Sequence, residues 1–343
     1  MDYKESGVDI SAGEIAVQKI KSIVRSTYNK NVLAELGSFG GLYQLDLDYW
    51  KEPILVSSTD GVGTKLIVAQ KAKKYDTIGQ DLVNHCVNDI FVHGAVPQFF
   101  NDYIGIAKMQ PEVIEQIIWG MSKACKENEM ALIGGEMAEM PGIYHADDFD
   151  LVGTIVGLVE KKNLITGSTI AENDVIIGFP SSGLHTNGYS LARKIIFEKL
   201  ALNIDSYIKE LNTTIQEALL SIHLSYFNLL KNYAASRHVH GMAHITGGGL
   251  KGNIKRILPS DLSAEIDCAA WKTPPIFSWL VNEGEVPLGD AYSTFNMGIG
   301  FVLICSSTLV SAILEETEGL KIGLITKKEN QESVILKNMG FFA

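Results

Sequence analysis

Ile54-Leu55-Val56-Ser57-Ser58-Thr59-Asp60-Gly61-Val62-Gly63-Thr64-Lys65 decides how the chain is read, because an apolar run delivers an acid, two glycines and a lysine in close succession. The pattern predicts a strand that ends in a ligand loop. Gly61 and Gly63 let the backbone, with Val62 and Thr64, come close to a ligand with its N–H groups exposed. Lys65 can neutralise phosphate charge, and Asp60 can hold a cation against it. Familiar nucleotide loops do not fit: Gly63-Thr64-Lys65 departs from the Walker order, and Leu66 stands where a dinucleotide fingerprint needs its next glycine. Spacing alone leaves a tight structural turn and a phosphate site equally open.

Around this stretch the bulk numbers are those of an ordinary globular chain. The 343 residues predict two domains, 46% are hydrophobic, and 20% are charged. The net charge of −11 comes without a basic run, so neither nucleic acid nor an anionic membrane is an expected partner. Cys86, Cys125, Cys268 and Cys305 lie far apart with no C-x-x-C pair, which suits buried thiols in a reducing compartment. The polar start Met1-Asp2-Tyr3-Lys4-Glu5 does not read as a signal peptide, and the apolar stretch near Met297–Cys305 is too short to span a bilayer. A cytoplasmic location is the expectation.

Residues 3–9 read as a frayed terminus or a lid, followed by a Ser11-Ala12-Gly13-Glu14 capping box and a helix burying Ala16, Ile20, Ile23, Val24 and Thr27. Leu42, Gln44, Leu45 and Leu47 alternate and predict a strand. From Gly79 to Gly94 the pattern is helical, with Asp81, Asn84, His85, Asn88 and Asp89 at i, i+3, i+4, i+7 and i+8. Such a stripe suits a ligand site or a solvated face; the lack of lysine in it favours the site. Pro111 opens another helix, and a strand over Met130–Ile133 ends in Gly134-Gly135-Glu136 with Glu139 beyond, echoing the arrangement at Asp60. A glycine turn with a surface Glu is the bland alternative.

The polar stretch Glu160–Ser168 follows a strand over Leu151–Val159 and divides the chain into expected domains 1–165 and 166–343. The second half opens with strand Val175–Phe179, a loop Pro180–Gly188 and a helix over Tyr189–Leu200, where small hydroxyls precede a helix. Spacing favours a capping role for His185 in that loop over an acid/base role. One long amphipathic helix is predicted from Ile215 to Tyr233, and then Thr246-Gly247-Gly248-Gly249 enters another helix. His238 and His240 have no third metal ligand at a known spacing.

Taken in order, the strings Asp2-Tyr3-Lys4, Gly7-Val8-Asp9-Ile10, Thr59–Lys65, Cys86-Val87-Asn88-Asp89-Ile90, Gly134-Gly135-Glu136, Ala138–Gly142, Ser181–Leu191, His244–Leu250 and Thr294–Gly298 cover nearly the whole chain. Together they resemble the phosphoribosylformylglycinamidine cyclo-ligase family, the aminoimidazole ribonucleotide synthetases. The sequence departs from that family's usual pattern at Asn84-His85, Val96, Asn101, Met137, Ile222-His223-Leu224, Asp290 and Ser293. The resemblance implies an α+β fold of two halves, the first building a barrel across a homodimer and the second a mixed sheet covered by helices. It implies ATP with Mg²⁺, and closure of formylglycinamidine ribonucleotide to 5-aminoimidazole ribonucleotide.

On that reading Asp60, Asp89 and Glu136 hold the metal, while Asp60, Lys65 and His185 act in catalysis. Lys4, Gly61, Val62, Gly63, Thr64, Lys65, Asn88, Ser181, Ser182, Gly183, Gly247 and Gly248 face ATP and its phosphates. Two rivals stay open: an ATP-dependent relative acting on another carbonyl or amidine, and a dimeric nucleotide-binding protein without turnover. Phosphate release dependent on substrate separates them.

Overall fold

In the computed structural model, which describes Gly7 and residues 9–145, 147–329 and 331–340, two compact units divide the chain. One holds residues 1–91 and 95–161, the other residues 92–94 and 162–343. Both are α+β. Among the described residues no helix is long and apolar enough to cross a membrane.

The first unit is built on a four-stranded mixed sheet in the order β1-β4-β2-β3, with β1 at Pro53–Gly61, β2 at Val96–Ile106, β3 at Ala131–Glu139 and β4 at Phe149–Glu160. Helices α1 (Ile10–Arg25), α2 (Lys65–Ala72), α3 (Asp76–Phe91) and α4 (Pro111–Glu127) complete it. Pro111 takes the first turn of α4 as expected, and Ile114, Ile117, Ile118 and Met121 are buried. Helices α3 and α4 cross where Gly79 faces the carbonyl of Ile117 and Gly120 faces that of Asp76, so close that a Cβ at either would strike backbone.

Three local expectations change. Asp9, rather than Ser11, caps α1, because its carboxylate accepts the backbone N–H groups of Ser11 and Ala12. The alternating residues 42–47 form no strand: Val32 and Tyr43 make an isolated bridge, and Leu42 and Leu47 stay exposed without a sheet neighbour to cover them. Third, β1 and β3 run through their glycines. Asp60 and Glu136 therefore lie within strands instead of loops beyond them.

The second unit has a six-stranded sheet in the order β12-β9-β11-β5-β10-β8. Its strands are β5 (Val175–Pro180), β8 (Val239–His244), β9 (Leu262–Asp267), β10 (Ile299–Cys305), β11 (Leu320–Lys327) and β12 (Val334–Lys337); a two-stranded ribbon pairs β6 (Tyr207–Ile208) with β7 (Thr213–Thr214). Helices α5 (Tyr189–Arg193), α6 (Ile215–Leu219), α7 (Phe227–Ala234), α8 (Gly249–Ile254), α9 (Pro275–Gly284), α10 (Leu288–Thr294) and α11 (Ser307–Glu316) connect them. A wider π-helical turn carries α5 on to Lys199. The single helix expected over 215–233 is broken in two, and its middle carries the fully buried His223. Strand β10 is antiparallel to both β5 and β8, so the ends of those two strands emerge at the same side, beside the start of β10.

Candidate active site

Side chains of a strand alternate between faces, and in β1 the exposed Leu55, Ser57 and Thr59 fall on one of them. Ser58 and Asp60 fall on the other, against α3, where the polar stripe read from the sequence lies. That stripe is largely buried: Asp81 and Asn88 have no exposed surface, and His85 retains 5%. Asp81 pairs with Lys65 at 2.7 Å, Asn84 accepts the amide of Asn128 at 2.9 Å, and Ser58 Oγ donates to Asp89 Oδ2 at 3.1 Å.

His85 Nε2 lies 2.9 Å from Asp60 Oδ2 and 3.6 Å from Asp89 Oδ2. Burial alone would lower the His85 pKa, but the hydrogen bond it donates to Asp60 and the charges of Asp89, Asp60 and Asp81 leave it raised. The same imidazole holds the Asp60 carboxyl below its ordinary range, and the Gly61 N–H adds to the effect. One donor atom from each of Asp60, His85 and Asp89 falls within 4.8 Å of the others. Two carboxylates and an imidazole converging in this way fit a divalent cation.

Beside the cluster, Gly63 and Thr64 are exposed, and Gly63 has φ +68° with open space around its Cα, as a loop built for close approach requires. Val62 is buried and holds the loop in place. Lys65 turns inward. Its ammonium is fully enclosed with Asp81, and burial lowers its pKa, so the open phosphate-facing lysine expected from spacing is a buried ion pair.

Glu136 is not brought to Asp60 and Asp89. The register runs Asp60–Gly153–Asp102–Gly135 across the four strands, which puts Gly135 three strand spacings, roughly 14 Å, from Asp60. Glu136 is next in β3 and by alternation belongs to the other face. It lines a cavity of about 520 Å³ with Asn101, Asp102, Gly134, Gly135 and Met137. Asp102 was not singled out from the sequence. It keeps part of its surface open, yet the protein around its carboxyl pushes its pKa up to about 7.

In the second unit the loop after β5 is clasped by Asn296, whose amide donates to Gly183 O at 2.9 Å and whose oxygen accepts from Ser181 Oγ at 3.0 Å and Gly298 N at 2.8 Å. Ser182 stays exposed while Ser181, Gly183 and His185 are buried. His185 has φ +60°, accepts the Ser182 N–H at its Nε2 over 3.3 Å, and stacks on His223 with ring centroids 4.0 Å apart. His223 Nε2 meets His244 Nε2 at 3.0 Å, so one of them carries the proton between them. The sequence marks His223 only as a departure from the family pattern, at a position that reads as a helix interior. Gly247 and Gly248 are exposed where β8 leads into α8, and Gly248 N donates to Ser293 O at 3.0 Å. Lys4 and most of the expected lid lie outside the described residues.

Residues 46–159 match the family model of the AIR synthase related protein, N-terminal domain, and residues 171–335 match that of its C-terminal domain. The phosphoribosylformylglycinamidine cyclo-ligase of Alkaliphilus oremlandii (strain OhILAs) is 47% identical over 312 residues, covering 91% of this chain and 92% of its own. This chain belongs to the phosphoribosylformylglycinamidine cyclo-ligase family. Solved structures beyond that family share its fold at low identity. Thiamine-monophosphate kinase from Stenotrophomonas maltophilia K279a aligns with TM-score 0.68 at 16% identity, covering 94% of this chain and 96% of its own. The hydrogenase maturation protein HypE in complex with ATP aligns with TM-score 0.65 at 16% identity, over 93% of this chain and 90% of its own.

Proposed function

We propose that the chain catalyses the ATP-dependent closure of formylglycinamidine ribonucleotide to 5-aminoimidazole ribonucleotide, ADP and phosphate, as a cyclo-ligase of purine biosynthesis. The near full-length identity to the cyclo-ligases carries this reading. In the reaction, the formyl oxygen attacks the γ-phosphorus, an O–P bond forms and the bond to ADP breaks. The amidine nitrogen then closes the five-membered ring on the activated carbon, and phosphate departs with the former formyl oxygen while the nitrogen loses its proton. Neither step requires a covalent bond to the protein, so its share is positioning and charge neutralisation.

The protein's residues divide this work. Asp60 and Asp89, with His85 between them, would hold a Mg²⁺ whose charge offsets that of the ATP phosphates. Gly61, Gly63 and Thr64 offer a loop that phosphate oxygens can approach, while Lys65 and Asp81 hold α2 against α3 behind it. The Ser181–Gly183 and Gly247–Gly248 loops are a second set of small, glycine-containing turns suited to a ribonucleotide. His185 stabilises its own turn by accepting the Ser182 N–H, and its ring packs on that of His223. The exposed Leu55 on edge strand β1 supports a homodimer paired through the open side of this sheet.

A coupled assay tests the proposal: purified protein, ATP and formylglycinamidine ribonucleotide should release ADP and phosphate in step with imidazole formation. Nucleotide hydrolysis that ignores this substrate would remove the reading. Light scattering should give a dimer mass; an active monomer at micromolar concentration would rule out the paired arrangement.

A further inference from the structure

We propose that Asp60, His85 and Asp89 form a mixed nitrogen and oxygen site that takes a first-row transition-metal dication in preference to Mg²⁺. The proposal rests on the reading of Asp60 and Asp89 as cation ligands and adds the identity of the ion. Its basis is the placement of one imidazole. His85 Nε2 stands between two carboxylate oxygens, 2.9 Å from one and 3.6 Å from the other, and all three donor atoms fall within 4.8 Å. An ion bonded at roughly 2.1 Å to each of two ligands separates them by about 3.0 Å at an octahedral angle and about 3.4 Å at a tetrahedral one. The two spacings to His85 are close to these values and the two carboxylates lie within 4.8 Å of each other, so a modest movement brings the three atoms onto a single ion.

The positions are also held. His85 and Asp89 are one helical turn apart on α3, the histidine side chain is 6% exposed, and Ser58 orients Asp89 by donating to Oδ2. Asp60 is fixed on the facing strand by its own backbone pairing with Gly153. Mg²⁺ prefers an octahedron of oxygens and keeps several waters, whereas imidazole suits the first-row dications, whose affinity rises from Mn²⁺ through Fe²⁺, Co²⁺ and Ni²⁺ to Cu²⁺ and falls again at Zn²⁺. A buried imidazole in the ligand set therefore selects against Mg²⁺ at the affinity level, while the two carboxylates keep the site open to it.

Co²⁺ is the probe, added to chelator-treated full-length protein without nucleotide and followed by its visible absorption, with Mg²⁺ as competitor. The wild type should bind one Co²⁺ per chain at least about tenfold more tightly than Mg²⁺. His85→Gln should lose about 10-fold or more of Co²⁺ affinity and change that for Mg²⁺ by no more than about threefold. A His85→Gln protein with wild-type Co²⁺ affinity, or a wild type that binds Co²⁺ no better than Mg²⁺, overturns the proposal. X-ray absorption of Co²⁺ on the wild type decides the matter even if the variant does not fold: an imidazole in the shell supports it, and an all-oxygen shell refutes it. Asp60→Asn separates this from the catalytic reading. If that variant retains full Mg²⁺-dependent turnover while Co²⁺ binding still depends on His85, the catalytic role of the pair fails and the metal preference stands.

Discussion

The ammonium of Lys65 lies 2.7 Å from Oδ2 of Asp81, and neither side chain has any exposed surface. Two charges removed from water are tolerated only as a pair, since each without the other would be an uncompensated charge in a low-dielectric interior. Lys65→Met should therefore destabilise the protein by about 3–5 kcal/mol, and Lys65→Met with Asp81→Leu should recover much of that loss. Urea unfolding of both variants checks it. A single variant as stable as wild type would show that Asp81 is satisfied by other groups.

The glycines divide by surroundings. Gly79 faces the Ile117 carbonyl and the Met121 amide at the crossing of α3 and α4, and these atoms belong to backbone that cannot step aside cheaply. Gly79→Ala should cost about 3 kcal/mol or more. Gly13, within α1, has nothing within 4 Å of the position its Cβ would take, so Gly13→Ala should stabilise by about 0.5–1 kcal/mol. Thermal melts of opposite sign are expected for the same chemical change.

Asp102 gives a pH signature. Its folded pKa of about 7 lies above the ordinary carboxylate value of 3.8, so between these limits the folded state binds more protons than the unfolded one. Its contribution is thus most favourable below about pH 4 and is lost as pH rises through about 7. Asp102→Asn removes this term. The variant should gain stability over wild type as pH is raised from 4 to 8, roughly levelling off above 8, and melts across that range provide the measurement. A difference independent of pH would place the carboxyl in ordinary solvent.

Periodicity and caps made α4 and most of α3 legible, because Pro111 marks a start and the apolar stripe repeats at helical spacing. Strand β2 was invisible: Pro97 and a bulge near Gln98 interrupt the alternation, and the strand is recognisable only from its pairing with β3 and β4. Gly134-Gly135 looked like a strand end, yet neighbouring Asn101 and Asp102 keep the ladder going. The polar stripe on α3 was readable as a group, but its use was not. His85 meets Asp60 across 25 residues and Asn84 meets Asn128 across 44, and only the sheet and the helix crossing bring those partners together. The joined helix expected over 215–233 failed for the same reason, since burial of His223 against His244 outweighs local helical preference.

The separation of Asp60 and Asp89 from Glu136 makes the last prediction. Asp60 and Asp89 share His85, whereas Glu136 sits on the far-edge strand beside the cavity and its Oε1 accepts the Met137 N–H at 2.9 Å. If the first two hold the cation that accompanies ATP, replacing either by its amide removes transition-state charge stabilisation worth several kcal/mol, or about 10²-fold or more in turnover. The dependence on cation concentration should shift to higher values in Asp60→Asn and Asp89→Asn. Glu136→Gln should leave that dependence unchanged, because its carboxylate is not within reach of the same ion, and any effect on the reaction should fall on substrate KM. Stability of the metal-free protein must be followed in parallel, since a cluster held together by His85 also contributes to folding. Turnover against Mg²⁺ and Mn²⁺ concentration for the three variants distinguishes the cases. Equal shifts in all three would mean that Glu136 reaches the ion after all, and an unchanged cation dependence in Asp60→Asn and Asp89→Asn would mean that the pair is structural.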